Sequence, residues 1–314
     1  MTTISLTHNK QWQGISFVTL GLFLFSLQDV IVKQISGSYP VQELVFIRSI
    51  IALGLLLLTA RLNGGLAQLK TKQLRQHLLR GSVILLSYIT YYLAIAAMPL
   101  ANAVSLYFIS PLIVTILSIF LLKEQISKQK SVALLIGFLG TIVMLRPGLG
   151  VFEPAALFAI AAAFFYAYSV IMTRRMGTTE SGLSLAVYAT AVYLGTTAIF
   201  GLFWSQGIAT ASTHSSIQFL TRPWVMPTAY DFVLLGITGL IAAIGFYALA
   251  QAYRVAEATI VAPFEYIMIP LSVTWGFLFW GDLLDGLTAV GILLIIGSGL
   301  ALLPRRRWLL RRPS

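Results

Sequence analysis

The chain has 314 residues, of which 58% are hydrophobic and only 10% charged, and its formal net charge is +11. A soluble domain is about 25% charged, and so few charges cannot cover the water-facing surface of a core this size. The apolar surface must therefore face lipid. There is no cysteine, which excludes disulfides, thiolate nucleophiles and Cys-based metal sites. His8, His77 and His214 fall outside the long apolar runs and show no metal-ligand spacing, so no metal, haem or other cofactor is expected. A basic balance can signal nucleic acid, but no basic patch lies on a soluble domain here.

A spanning helix needs about 20 mostly apolar residues. In chain order, apolar runs between charge and turn signals predict spans at 12–35, 42–60, 78–97, 100–122 and 130–146, then at 154–173, 182–204, 230–252, 256–280 and 285–303. The fold class expected is all-α integral membrane, with ten transmembrane helices. The first span carries Asp29 and Lys33 and has no small-residue cleavage site, so it reads as a retained span and not a signal peptide. The third and fourth spans meet at Met98-Pro99, where the proline fits a helix boundary. Arg146-Pro147-Gly148 and Leu303-Pro304-Arg305 stop the fifth and tenth. The longest polar interval, Ile208 to Tyr230, reads as a single loop, and residues 1–11 and 304–314 read as tails.

Lysine and arginine gather on the cytoplasmic side of membrane proteins. With a cytoplasmic N-terminus, the inner segments hold Lys10; Arg61, Lys70, Lys72, Arg75 and Arg80; Lys123, Lys128 and Lys130; Arg174 and Arg175; Arg254; and Arg305, Arg306, Arg307, Arg311 and Arg312. The outer segments hold only Arg146 and Arg222, while Lys33 and Arg48 sit within or at the outer ends of spans. Both termini are then cytoplasmic in a multi-pass protein of the inner membrane, which fits an even number of spans.

The chain also reads as two halves. Tyr92-Leu-Ala-Ile-Ala-Ala97, with Ala101 and Ala103, resembles Tyr247-Ala-Leu-Ala-Gln-Ala252, with Ala256 and Ala258. Pro111 precedes Glu124 much as Pro270 precedes Asp282, and each acid is followed by a glycine-punctuated span. Phe25, Val30 and Ile31 line up with Phe165, Val170 and Ile171. Five spans per half make the second half inverted relative to the first, an arrangement that lets secondary transporters rock about a central site.

At these residues the sequence resembles a known family. Phe25-Ser-Leu-Gln-Asp29-Val-Ile-Val-Lys33 and Glu43-Leu-Val-Phe-Ile-Arg48 look like the opening of EamA-type members of the drug/metabolite transporter superfamily. Pro99-Leu-Ala-Asn-Ala103, Pro111 and Lys123-Glu124 look like the end of its first repeat. Ala256-Glu-Ala-Thr259, Ala262-Pro-Phe-Glu-Tyr266 and Gly281-Asp282 look like the second, with Asp where Glu is commoner. The resemblance implies two inverted five-helix repeats, 12–146 and 154–303, and secondary transport of small organic metabolites. In look it is nearest the branch of S-adenosylmethionine and riboflavin uptake carriers.

Ionisable residues inside spans are costly and mark partners or polar cavities. Asp29 and Lys33 share a helix face at i,i+4. Asp29 lies about 9 Å below the outer boundary, at 1.5 Å per residue, and Arg48 on the next span is at similar depth. With Glu43 these residues could form one charge network, acting as a structural ion pair, an outer gate or a substrate contact. Glu265, about 13 Å deep at the same rise, follows Pro263 and has no basic neighbour in sequence. It could bind a cationic substrate group, carry a proton, or hold a buried structural partner. Gln28, Tyr91, Tyr92, Ser105, Tyr107, Ser110, Tyr247, Gln251 and Tyr266 lie on spans that line the cavity in the family resembled, where rings could stack on a flat ligand. Arg254 and Glu257 read as a local pair, Glu124 and Asp282 as helix ends.

The expected partners are a small-molecule substrate, the lipid bilayer and protons or another coupling ion, in a monomer or homodimer, with no nucleic acid. The substrate classes that fit are S-adenosylmethionine-like compounds, flavins and amino acids. The alternative is an intramembrane enzyme acting on a lipid or small molecule, which would need a nucleophile or metal constellation near one membrane face. There is no G-x-x-x-x-G-K-[ST] loop, so transport would not run on an ATPase in this chain. The topology predicts that reporter fusions at Ser314 and within Gly64–Lys72 both report cytoplasm; a periplasmic signal from either would overturn it.

Overall fold

Lipid offers a backbone N–H or C=O no partner, so a chain of this composition has to satisfy its main chain within helices. The structure is a computed structural model that describes residues 2–122, 128–145, 153–176, 180–255 and 262–301; among them there is no strand. The helices are α1 (Thr2–Ile35), α2 (Val41–Leu62), α3 (Leu74–Ala97), α4 (Leu100–Tyr107), α5 (Ser110–Leu122), α6 (Lys128–Leu145) and α7 (Ala156–Met176). Then follow α8 (Gly182–Trp204), α9 (Ser215–Thr221), α10 (Ala229–Val255), α11 (Met268–Trp280) and α12 (Gly286–Ala301), with 3-10 turns at Leu66–Leu69 and Ala262–Ile267. Within them, six stretches are long and apolar enough to cross a membrane: Trp12–Ile35, Val41–Leu62, Leu74–Ala97, Ala156–Thr173, Gly182–Trp204 and Ala229–Leu249. Outward faces carry large apolar side chains such as Phe120, Phe138, Leu202, Phe203, Phe277 and Leu293, a surface suited to acyl chains and not to water.

Several elements differ from the sequence reading. No proline or glycine interrupts the first thirteen residues, and α1 accordingly runs from Thr2 through the expected tail. α3 starts four residues before the expected span, which draws His77 into a helix and buries it. The single loop expected over 208–230 contains α9. His214 caps that helix by accepting from Ser216 N–H, and Phe219 is buried beneath it. The spans expected at 100–122 and 256–280 are not continuous α-helices, as described below. Glu124, Glu257, the Arg146-Pro147-Gly148 stop, Ala256–Thr259 and the C-terminal tail lie outside the described residues, as do the side chains of residues 1–11 and Arg254.

Helix ends meet at two levels. At one level, Arg222 Nη1 donates to Ser36 O (3.0 Å), Gln42 Nε2 to Leu220 O (2.6 Å), and Ser216 Oγ to Leu93 O (2.6 Å). At the other, Thr71 Oγ1 donates to Glu180 (2.6 Å), Tyr188 to Leu69 O (3.0 Å), and Arg80 reaches Thr173 Oγ1 (2.6 Å). The last carbonyls of a helix lack intrahelical partners and carry partial negative charge. Here cations from elsewhere in the chain satisfy them: Arg222 at the end of α1, Lys33 at the end of α3 through Ile95 O (3.0 Å) and Met98 O (2.7 Å), and Arg175 at the end of α5 through Leu121 O (2.8 Å).

The main packing pairs are α1 with α10, α3 with α7, α2 with α10, α3 with α8, α2 with α8, α5 with α7, α6 with α12 and α4 with α11. Small residues allow these close approaches in lipid. A Cβ on Gly239 of α10 would lie 2.7 Å from Ile51 Cβ and 3.0 Å from Arg48 O, both on α2, whereas one on Gly54 would meet nothing within 4 Å. Overpacking costs about 1–3 kcal/mol, so Gly239→Leu should lower the melting temperature of the detergent-purified protein, while Gly54→Leu should leave it unchanged. Equal melting of the two variants would contradict the α2–α10 packing.

Candidate functional site

The side chains of α1 and α3 build one end of a buried polar cluster. Asp29 accepts hydrogen bonds from Tyr91 (2.6 Å to Oδ2) and Tyr92 (3.2 Å to Oδ1), and Gln28 Nε2 donates to the Tyr92 hydroxyl at 2.7 Å. Consecutive tyrosines on a helix point about 100° apart, so both can reach one carboxylate only because α1 crosses between their two directions. Most of this is enclosed: Asp29 is 4% exposed, Gln28 and Tyr92 1% each, and Tyr91 is partly buried.

The other end is built where two helices break. Pro111 has no N–H to offer the carbonyl of Tyr107 four residues earlier. The helix stops at Tyr107 and restarts at Ser110, bridged by a tighter Ile109 N–H to Leu106 O bond at 3.2 Å. Pro270 stands in the same relation to Tyr266, which lies in the 3-10 turn Ala262–Ile267 ahead of α11. The two prolines that the sequence pairs thus place a tyrosine at each break. Glu265 sits in the second break, 5% exposed, and accepts from the Tyr166 hydroxyl of α7 at 3.3 Å. That partner is a neutral hydroxyl from another helix, which sequence proximity could not show.

Rings join the two carboxylates. Tyr166 stands 5.5 Å from Tyr107, and Tyr107 stands 5.0 Å from Tyr91, which donates to Asp29. Such tilted contacts contribute about 0.5–1.5 kcal/mol each beyond area burial. Beside this chain are buried polar atoms with no hydrogen-bond partner: Gln28 Oε1, Ser105 Oγ, Ser110 Oγ, Tyr193 OH, Tyr266 OH and all three nitrogens of Arg48. A stranded polar group costs about 1–3 kcal/mol, and native interiors keep few of them. Others lie elsewhere, at Gln42 Oε1, Trp224 Nε1 and Asp282 Oδ2.

The four-residue charge network expected near Asp29 does not form. Lys33 turns to the end of α3, where its ammonium donates to the carbonyls of Ile95 and Met98 and stands 5.3 Å from the Trp280 ring. Glu43 accepts from Val225 N–H at 3.1 Å. Arg48 lies over the face of Tyr88 at 3.8 Å, with Tyr193 at 5.7 Å and Phe246 at 5.8 Å. Tyr88 contacts Tyr92 at 4.2 Å, so Arg48 and Asp29 stand on either side of a tyrosine pair.

Comparison with known proteins gives this geometry a family. Residues 12–146 match the EamA-like transporter family. The chain is 30% identical to the pseudopaline exporter CntI of Pseudomonas aeruginosa, over 92% of this chain and 95% of that protein. The chain belongs to the EamA-like transporter family. It is also 27% identical to the S-adenosylmethionine uptake transporter of Rickettsia prowazekii, over 91% of each chain, and 27% identical to the riboflavin transporter of Vibrio cholerae, over 94% of each. A solved crystal structure of another protein aligns with a TM-score of 0.62 at 19% identity, covering 92% of this chain and 95% of that one, and shares the fold. With its six long apolar helices, this member of the drug/metabolite transporter superfamily is a multi-pass membrane protein.

Of the residues singled out in sequence, Gln28, Asp29, Tyr91, Tyr92, Tyr107 and Glu265 join in the cluster, and Arg48, Ser105, Ser110 and Tyr266 flank it. Tyr247 packs against the separate core of α2, α8 and α10, bonded to Gln251 one turn on (2.8 Å). Tyr166, Tyr88 and Tyr193 went unrecognised. The alignment of Phe25 with Phe165 contained the signal for Tyr166, since it puts Tyr166 on the second-half counterpart of the helix carrying Asp29. Tyr88 is one helical turn before Tyr92, on the same face, but Tyr193 has no sequence signal. Because Tyr91 and Asp29 share one bond, melting losses in Tyr91→Phe and Asp29→Asn should be non-additive, with a coupling of about 0.5–3 kcal/mol; strict additivity would contradict the bond.

Proposed function

We propose that this protein is a secondary transporter that moves a small organic metabolite across the cytoplasmic membrane by alternating access. The observation that carries the reading is the pair of buried carboxylates, Asp29 and Glu265, linked by tyrosines beside two helix breaks in corresponding places of the chain. Interrupted helices paired in this way mark the central site of inverted-repeat carriers. In this reading ten spans form two repeats, 12–146 and 154–303, of opposite topology, with both termini cytoplasmic.

The packing supports the exchange of halves. Swapping each span with its counterpart turns α1–α10 into α3–α7 and α2–α10 into α3–α8, while α2–α8, α4–α11 and α6–α12 map onto themselves; all of these pairs are present. Two halves that make equivalent contacts can open toward either side at similar cost. The names of the relatives support a small-molecule cargo, with S-adenosylmethionine-like, flavin or amino-acid substrates as the classes to test, driven by an ion gradient or by exchange.

Glu265 is then the coupling or cargo-binding carboxylate. Glu265→Gln keeps the shape and an oxygen that can accept from Tyr166, so a purely structural role predicts near-normal uptake by proteoliposomes. A functional charge predicts that uptake falls about ten-fold or more, the size of one lost charge-assisted bond at about 1.5–3 kcal/mol, with folded yield intact. Exchange that survives while accumulation fails assigns Glu265 to the proton; loss of both assigns it to the cargo. Normal accumulation by the folded variant removes it from the mechanism.

A further inference from the structure

We propose that Arg48 is the anchor for a carboxylate of the cargo, and that the substrates are zwitterions of the amino-acid type. The inference rests on the transport reading above and narrows it to a chemical class.

Arg48 is 2% exposed, and Nε, Nη1 and Nη2 all lack a hydrogen-bond partner. Among the described residues no carboxylate pairs with it, since Asp29 is bonded to Tyr91 and Tyr92, and Glu43 to Val225 N–H. Tyr88, Tyr193 and Phe246 surround the guanidinium. A ring face holds the flat cation in place through its π-face, which leaves the fork of the guanidinium for a ligand. That fork is rigid, and its geometry matches a carboxylate through two parallel bonds.

The opposite pole stands across the Tyr88–Tyr92 pair. Asp29 uses two of its acceptor sites on tyrosine hydroxyls and keeps others, and Gln28 Oε1 beside it is buried and unpartnered. These oxygens suit an ammonium or another cationic group. Arg48 and Asp29 match one negative and one positive group of a cargo, while Glu265, the second carboxylate of the cluster, adds a place for a further positive group or a proton and none for a second negative one. A doubly charged phosphate would leave a surplus of negative charge here, whereas an α-amino acid group presents one charge of each sign.

The test uses the full chain in detergent and follows thermal stabilisation, which grows with ligand concentration over Kd. The probes are S-adenosylmethionine, methionine and lysine, each paired with its decarboxylated amine, together with riboflavin and inorganic phosphate. At least one zwitterion should stabilise the protein, with its amine binding at least about ten-fold more weakly, as expected for losing a bond to a charged group. In Arg48→Gln the zwitterion should weaken to the level of its amine while the amine is unchanged; Arg48→Lys, which keeps the charge without the fork, should restore only part. If Arg48→Gln does not fold, the acid–amine comparison on the unaltered protein decides. Amines binding as tightly as their acids, discrimination that survives in folded Arg48→Gln, or stabilisation by phosphate or riboflavin alone would each overturn the proposal. Uptake of riboflavin that ignores Arg48 would overturn it while leaving the transport reading standing, and a chain that neither binds nor moves any probe would lose both.

Discussion

A polar group inside this bundle has no bulk water to turn to, and that requirement organises most of what the structure contains. Main-chain groups answer it by staying helical. Helix ends, where carbonyls run out of partners, answer it with side chains from elsewhere: Lys33 at α3, Arg222 at α1 and Arg175 at α5. Each such contact ties one helix end to a residue distant in sequence. The same bonds that satisfy the backbone therefore also fix how the helices stand against one another.

The interior is governed by the same rule, with exceptions near Asp29 and Glu265 and others at Gln42, Trp224 and Asp282. Asp29 is satisfied by two tyrosines, and Glu265 accepts a bond from a third. Around them lie Arg48, Gln28, Ser105, Ser110 and Tyr266, with buried atoms that no side chain or carbonyl of the described residues satisfies. In a fold that spends lysines and arginines on closing helix ends, such a concentration is informative. Stability alone would favour apolar groups of the same shape at these positions, and the proposed transport of a polar cargo gives their polarity a use. The helix breaks at Pro111 and Pro270 fall in the same region, where unwound backbone adds further polar groups.

Aromatic side chains reconcile the two demands. A tyrosine is apolar over most of its surface and carries one hydroxyl, so a run of them can cross an apolar interior while offering hydrogen bonds at intervals. Tyr166, Tyr107 and Tyr91 link the two carboxylates in this way, and Tyr88 supports Arg48 by its ring face. The rings come from α3, the α4 break and α7, so the cluster exists only when both halves of the chain are assembled.

Much of this was legible in the sequence because lipid simplifies the code. Apolar run length located the six long helices to within a few residues at their apolar ends, since the bilayer sets that length. Pro111 and Pro270 were matched between the two halves, yet the spans carrying them were expected to run unbroken, and the breaks at these prolines came only from the structure. Buried charge at Asp29, Arg48 and Glu265 stood out because charge in lipid is expensive. The partners of those charges could not be read. The i,i+4 spacing suggested Asp29 with Lys33, yet the carbonyls of Ile95 and Met98 drew Lys33 away and two tyrosines took Asp29. Spacing along one helix fixes which side chains share a face, and only the packing of other helices against that face decides what each one meets.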